Sequence, residues 1–383
     1  MITPHGGRLV DRLLRGPERE SALKRAGTLK TIRLENDDVV DLRNIGHGRY
    51  SPLEGFLARA DFDSVISNNR LKDGTIWTIP IVLDIDTKTA STLKEGGDVL
   101  LADQAGKPIA ILHLEEKFTF DKENLARSVF GTVDPSHPGV ARAFSMNDVL
   151  LGGQIDLLDD SREPFPAFNL RPAETRKIFE EKGWKSVAGF QTRNTPHMGH
   201  ENMQKTVLAL VEGLLIHPVI GRKKKGDYKD EVILGAYDAL IEHYFPKERV
   251  LLSILPMEMR YAGPKEAIHH AIIRKNHGCT HLIVGRDHAG VGKFYPEEAA
   301  IEIFDDYPEL EIKPITIRGD FFHCNRCGHL ASERTCPHDK SYHINFNGTA
   351  IRKMITEGVV PPPELIRKEV YEAQREFDDP FVG

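Results

Sequence analysis

The sequence predicts a parallel, doubly wound α/β core, preceded by a β-rich domain and followed by a small cysteine-bearing region. Three observations carry this. Between Val187 and about residue 305, short apolar runs alternate four times with polar loops and helix-like stretches, as βα units on a parallel sheet do. Before about residue 165, β-branched residues recur in alternating runs cut by KDG, EGG and AGKP turns. Three of the four cysteines, Cys324, Cys327 and Cys336, fall close together near the C-terminus.

Taken in order, TIWTIPIVLDID and DVLLADQAGKPIAILHLEEKFTF read as strands of the first domain, residues 1–165. Leu158–Glu174, with three prolines and mixed charge, reads as a linker. The α/β domain, 166–320, then runs as SVAGF and GHENMQKTVLALVEGLL, LLIHPVIG and DEVILGAYDALIEHYF, RVLLSILP and GPKEAIHHAIIRKNHG, THLIVG and RDHAGVGKFYPEEAAIEIF. Residues 321–383 hold the cysteines and two further helices. His269, His270, His277 and His281 are expected on helix or strand surfaces, and Cys279 as a lone buried thiol.

Bulk composition narrows the function. Hydrophobic residues make up 40% and charged residues 28% of the 383, with a net charge of −6, the profile of an ordinary enzyme. A nucleic-acid or anionic-membrane binder would usually be basic, so neither partner is expected. The N-terminal stretch MITPHGGRLVDRLLRGPERE lacks a signal-peptide core, and no run of about 18 apolar residues occurs, so the expected address is the cytoplasm.

Chemistry concentrates in VAGFQTRNTPHMGHENMQKTVLALVEG, Val187–Gly213. Two histidines and a glutamate suggest zinc, but zinc proteases space their histidines four apart with the glutamate between them. Here His197 and His200 are three apart, and Glu201 lies outside the pair. They fall where a strand passes into a helix, the place where open α/β sheets bind ligands and free N–H groups favour anions. Gly199 is expected to let a phosphate approach the backbone, Arg193 to supply a planar fork, and Asn194 and Gln191 neutral donors. An anion cradle is the favoured reading over a metal site.

HMGH also matches the H-x-G-H signature of α/β nucleotidylyltransferases, and NGTAIRKMI (Asn347–Ile355) resembles their later S-x-T-x-x-R element, with Thr349 and Arg352 kept. PMEMRYAGPKEAIHHAIIRKNHGCTHLIVGRDHAGVG (Pro256–Gly292), together with QTRNTPHMGHE, closely resembles the ATP sulfurylase (sulfate adenylyltransferase) family. PHGG, YSPLEGFL and HPGV are similar to that family's PUA-like N-terminal domain. One departure is Thr195 in the place of the motif's proline, expected to loosen the loop.

The resemblance implies a monofunctional enzyme in which sulfate attacks the α-phosphorus of MgATP, giving adenylyl sulfate (APS) and pyrophosphate. Sulfate needs no general base, so the costs are like-charge repulsion and alignment. By this resemblance Gln191, Arg193 and the backbone of Ala289 hold sulfate, and Thr192, Arg193 and Asn194 are catalytic. Gln191, Asn194, His197, His200, Gly285, Arg286, Asp287 and His288 hold ATP. Asp287 has a second reading as a partner of Arg286 or a helix cap, and RKKKGD (Arg222–Asp227) reads as a solvated run or a lid. The family also implies a homodimer or larger assembly.

HCNRCGHLASERTCPHDKSYH offers C-x2-C, then Cys336, then histidines, a strong zinc pattern. Cys324, Cys327, Cys336 and His343 are the favoured ligands, with His338 the alternative and His323 and His329 outsiders; a closed tetrahedron makes the ion structural. Two rival readings are an adenylyltransferase for another acceptor, which would lack GRDHAG, and an RNA binder, which the acidic balance opposes.

Overall fold

In the computed structural model, residues 1–316, 321–346 and 348–383 are described. Among them, the N-terminal sheet runs Lys30–Arg33, Asp98–Ala102, Pro108–Thr119, Val149–Leu157, Gly55–Phe56, with Leu83–Ile85 also on Val149–Leu157. Helices that strand-like runs do not announce also stand here, among them Gly16–Ala26, Asn36–Gly46, Arg59–Asn68 and Lys122–Phe130. Of these, Lys122–Phe130 has a side-chain cap: Asp121 accepts the N–H groups of Glu123 and Asn124.

The second sheet is parallel throughout. Its central strand is Val187–Thr192, flanked on one side by Gly213–Ile220 and then Val250–Leu252 with Leu255–Pro256, and on the other by His281–Val284 and Lys313–Thr316. In chain order this is 3-2-1-4-5, the doubly wound arrangement. The switch point lies between Val187–Thr192 and His281–Val284, whose register pairs Ile283 with Phe190. Both carboxyl ends therefore open at one edge, followed by the QTRNTPH and GRDHAG loops. The segment RDHAGVGKFYPEEAAIEIF is helical only from Ala299; before that, Asp287, Ala289 and Gly292 take positive φ.

The connection from Leu158 to Arg171 has no regular structure but is tied down. Asp159 accepts Lys107 Nζ at 2.6 Å and Arg43 Nε at 2.9 Å, and Arg162 grips Glu174 through two bonds of 3.0 and 2.6 Å. After the cysteine hairpin, the chain returns to the core: Ile351, Ile355, Leu365 and Val370 join one apolar cluster with Ile216 and Ile233.

The expected surface position of the helical histidines is corrected. Every residue of Pro264–Asn276 from Glu266 onward is buried, because the helix is enclosed by the second sheet and the N-terminal domain. His269, His270 and His277 lie inside, and His281 is half-buried. One polar residue of the helix, Asn276, is satisfied across the domain boundary. Asn276 donates to the carbonyls of Arg49 and Ser51 at 3.0 Å and accepts His5 N–H at 2.9 Å. The Tyr50 ring packs on His269 at 5.1 Å. PHGG and YSPLEGFL thus serve as the seat for this helix. Cys279 is a buried free thiol, as the sequence suggests.

Burial holds His200, His217, His269, His270 and His277 neutral, well below the usual histidine range. Below about pH 6.5 the unfolded chain binds protons at these rings that the folded chain refuses, so stability falls as pH falls. Each such ring adds a slope of up to about 1.4 kcal/mol per pH unit. Denaturant midpoints between pH 8 and 5 should hold down to about 6.5 and then drop steeply; a flat profile to pH 5 would contradict the buried-neutral assignment.

Candidate active site

The helix Met198–Leu208 begins at His197, whose Nδ1 accepts the N–H groups of Gly199 at 3.1 Å and His200 at 3.4 Å. His200 Nδ1 accepts His197 N–H in return at 3.4 Å, and the two rings stack at 3.8 Å. Burial depresses His197 to about 4 and holds His200 well below the usual histidine range, so both are neutral. With each Nδ1 used as an acceptor, the proton resides on Nε2, which leaves two neutral N–H donors. Gly199 does not lie open to a ligand as expected. A Cβ there would meet the His197 ring at 2.9 Å and Phe346 at 3.0 Å, so the glycine makes room for those rings.

Glu201 is no metal ligand here: it is 3% exposed and accepts Arg367 Nε and Nη2 at 2.9 and 2.8 Å and Lys205 Nζ at 2.6 Å. Burial alone would raise its pKa, but these cations hold it below the usual carboxylate range. Arg367 thereby ties the C-terminal region to the site helix. A cavity of about 170 Å³ lies between Asn194, His197 and His200 on one side and Gly348 and Arg352 on the other. The start of the C-terminal helix Gly348–Thr356 thus meets the histidine loop, while Asn347 lies outside the described residues.

Arg193 is half-buried, donating from Nη1 to the Tyr261 hydroxyl and from Nη2 to the Arg222 carbonyl, each at 2.9 Å. Tyr261 has φ of 61°, and its carbonyl accepts His137 Nε2 at 3.1 Å. His137 Nδ1 caps the helix Pro138–Ser145, so HPGV holds Tyr261 and, through it, Arg193. The link is invisible in the sequence, since 124 residues separate the pair. Thr192 Oγ1 accepts Asn194 N–H at 3.1 Å and closes the turn; Asn194 itself is exposed. Gln191 Oε1 is buried with no partner among the described residues, a position suited to a ligand. Thr195 does not loosen the loop: it is buried, and the Tyr228 hydroxyl reaches its side chain.

The basic loop is not a free solvated run. Lys223 pairs with Asp230 at 2.8 Å, Arg222 reaches Asp37 of the N-terminal domain at 3.3 Å, and Lys224 sits over the Tyr261 ring. Asp227 lies 3.9 Å from both Arg193 and Arg352. Backbone bonds between Gly226 and Val382 at 2.9 Å, and Val382 and Asp227 at 2.8 Å, strap this loop to the chain's end. Beside Arg193 a second cavity, of about 910 Å³, opens between the domains.

In the facing loop Arg286 reaches Glu297 at 3.0 Å, and no helix starts at Asp287, so neither bland reading of Asp287 holds. Its carboxylate instead packs over Gly290, where a Cβ would lie 1.9 Å away. Ala289 takes φ of 57°, and its carbonyl accepts Gly263 N–H at 3.1 Å. His288 Nε2 lies 3.0 Å from His270 Nδ1, and His270 Nε2 lies 3.4 Å from buried Glu266. Glu266 and His270 were not singled out from the sequence; a glutamate four residues before a histidine on one helix was the available signal.

The cysteines form a third constellation, on a small sheet of Phe321–Cys324, His329–Ser332 and His343–Asn345. The sulfurs of Cys327 and Cys336 are 3.8 Å apart, and His338 Nδ1 lies 3.4, 3.2 and 3.6 Å from Cys324, Cys327 and Cys336. All four ligand atoms fall within 4.8 Å of one another. Bonds of about 2.3 Å to sulfur and 2.0–2.1 Å to nitrogen make a tetrahedron with edges of this size. It is His338, the alternative, and not the favoured His343, that the structure brings to all three sulfurs: the His343 ring stacks on Phe322 at 3.6 Å and approaches only Cys336, at 3.7 Å.

A doubly wound sheet with a histidine-capped helix start and cationic side chains at its switch point defines a nucleotide-binding α/β protein. A match to the ATP-sulfurylase family spans residues 166–377, and one to the PUA-like domain spans 2–160. Relatives named sulfate adenylyltransferase include those of Pyrococcus abyssi, 51% identical, and Thermococcus onnurineus, 50% identical, each over 99% of both chains. That of Symbiobacterium thermophilum is 47% identical over 96% of this chain and 94% of its own. A solved structure, the hexameric APS kinase from Thiobacillus denitrificans, shares the fold with a TM-score of 0.78 at 22% identity, covering 99% of this chain and 69% of that one. The chain belongs to the ATP-sulfurylase family, and its activity is that of a sulfate adenylyltransferase. Among the described residues, no helix is long and apolar enough to cross a membrane.

Replacing Glu201 with Ala should cost about 1.5–3 kcal/mol, since two charged donors lose their acceptor. Limited proteolysis should then cut the C-terminal segment around Arg367 faster; unchanged stability and cleavage would contradict the tie.

Proposed function

We propose that Gln191, Arg193 and the backbone of Ala289 hold sulfate, while His197, His200 and Asn194 hold the phosphates of ATP, taken as its magnesium complex. Gly285, Arg286, Asp287 and His288 approach the nucleotide from the facing strand. The observation that supports this most is the shared edge: the loops after Thr192 and Val284 leave neighbouring parallel strands at the switch point. A sulfate oxygen attacks the α-phosphorus, and the bond to the pyrophosphate oxygen breaks in line. No proton leaves sulfate, so Arg193 and the turn of Thr192 and Asn194 align the anions and offset charge. Alignment of this kind supplies about 7–11 kcal/mol, and one oxyanion donor about 2.7–4 kcal/mol. The neutral Nε2–H groups of His197 and His200 suit the departing pyrophosphate. Glu266 and His270 position His288 by fixing its ring.

The thiolates of Cys324, Cys327 and Cys336 with His338 fit zinc by donor type and spacing, and four protein ligands leave no open position, so the ion is structural. The protein is further proposed to act in the cytoplasm as a homodimer or larger assembly.

Two measurements bear on this reading. Arg193→Ala should lower kcat/KM for sulfate-dependent pyrophosphate release by about 10²–10³-fold at unchanged denaturant midpoint; near wild-type turnover would remove Arg193 from its role. Metal analysis should find one zinc per chain, lost in Cys327→Ser and reduced in His338→Ala but kept in His343→Ala, whereas loss in His343→Ala alone would reverse the assignment.

A further inference from the structure

A second cavity rich in cations lies away from the adenylyl-transfer site, where the helix Asn36–Gly46 meets the connection between the domains. Its volume is about 50 Å³, and its wall includes Arg43, His47, Arg49, Arg162, Arg171 and Asn169. Three of the guanidinium groups have carboxylate partners: Arg43 with Asp159, Arg162 with Glu174, and Arg171 with Asp160. Arg49 does not. It is 2% exposed, donates only to neutral acceptors, Asn169 Oδ1 at 2.6 Å, the Leu170 carbonyl at 3.1 Å and Asn44 Oδ1 at 3.5 Å, and its Nε has no partner among the described residues. His47, 8% exposed, likewise has an unpartnered Nε2. Glu163 also lines the wall but is exposed to solvent.

We propose that this cavity binds one small inorganic anion. A buried guanidinium with no carboxylate in contact is costly, and an anion is the species that lowers that cost. Burial and the neighbouring arginines, Arg171 foremost, bring Arg49 down only to about 10, so it stays charged at neutral pH. The same surroundings keep His47 neutral, so it can donate one N–H without adding charge. A space of about 50 Å³ exceeds what one water needs, about 10–15 Å³, and suits a halide or a tetrahedral oxyanion but not a nucleotide. None of Gln191, Arg193 or Ala289 lines it, so the site is separate from the sulfate position proposed above. Asn44, also on the wall, donates to the Pro256 carbonyl at 2.9 Å, at the end of a core strand. The wall thus draws on both the N-terminal domain (Arg43, His47, Arg49) and the segment leading into the core (Arg162, Arg171).

The full chain in potassium gluconate, whose anion is too large to enter, is titrated with sodium bromide or phosphate at constant ionic strength while the thermal midpoint is followed. Crystals soaked in bromide give the anomalous map. The expected result is a saturable rise of several degrees in at least one arm, absent in Arg49→Gln, with bromide or phosphate density beside Arg49 Nε. The bromide and phosphate arms separate a halide site from an oxyanion site. The map uses the unaltered protein, so it stands if Arg49→Gln does not fold. Water alone in the cavity, a rise that Arg49→Gln keeps, or density only at molar salt without a midpoint shift (an adventitious ion only) would each overturn the proposal.

Discussion

The helix Pro264–Asn276 cannot face water on any side, and that constraint organises the molecule. A helix carrying Glu266, two histidines, Arg274, Lys275 and Asn276 is stable inside only if other elements answer its polar groups. The N-terminal domain answers Asn276, and a neighbouring turn of the core answers Glu266. Asn276 takes its bonds from residues near His5 and Ser51, and Glu266 accepts the N–H groups of Arg260 and Ala262 at 2.9 and 3.0 Å. The latter two bonds shape the turn that presents Tyr261 to Arg193. A domain with none of the proposed substrate ligands therefore helps set the position of Arg193, through His137 and Tyr261.

Charge is distributed sparingly around the site. Two polyanions must approach each other, yet the histidines of the cradle are uncharged, and the cations nearby are already engaged by Asp227, Tyr261 and backbone carbonyls. Charge-assisted bonds are roughly twice as strong as neutral ones. In the proposed arrangement, a cradle of neutral donors would hold the leaving group without trapping it, while the guanidinium of Arg193 would lie near the attacked phosphorus. Backbone caps at Nδ1 fix which ring nitrogen carries the proton, so the donors are in place before any ligand arrives.

The parallel core was legible because its strands are short apolar runs with a loop and helix after each, and the switch-point loops carried their own polar signatures. What escaped were features set by distant packing. The fifth strand, Lys313–Thr316, is short and opens with a lysine, so nothing in its pattern competes with a loop. The histidines of Pro264–Asn276 look like a polar helix face, and only the second domain buries them. Gly199 reads as a phosphate approach, whereas its missing side chain accommodates His197 and Phe346. The histidine beside the three thiols was ambiguous because His338 and His343 both follow Cys336 closely, and the stack of His343 on Phe322 leaves His338 nearest the sulfurs. Of the N-terminal helices, capping residues such as Asp121 gave local notice that strand alternation masked.

The strap between the 226–229 loop and the last residues has a mechanical meaning. Asp227, which stands between Arg193 and Arg352, shares backbone bonds with Val382, and Lys229 N–H reaches the Pro380 carbonyl at 3.0 Å. Displacing the carboxylate tugs on the terminus, and pulling the terminus tugs on the carboxylate. An affinity tag or fluorescent label fused after Gly383 would grip a lever whose other end rests between two guanidinium groups.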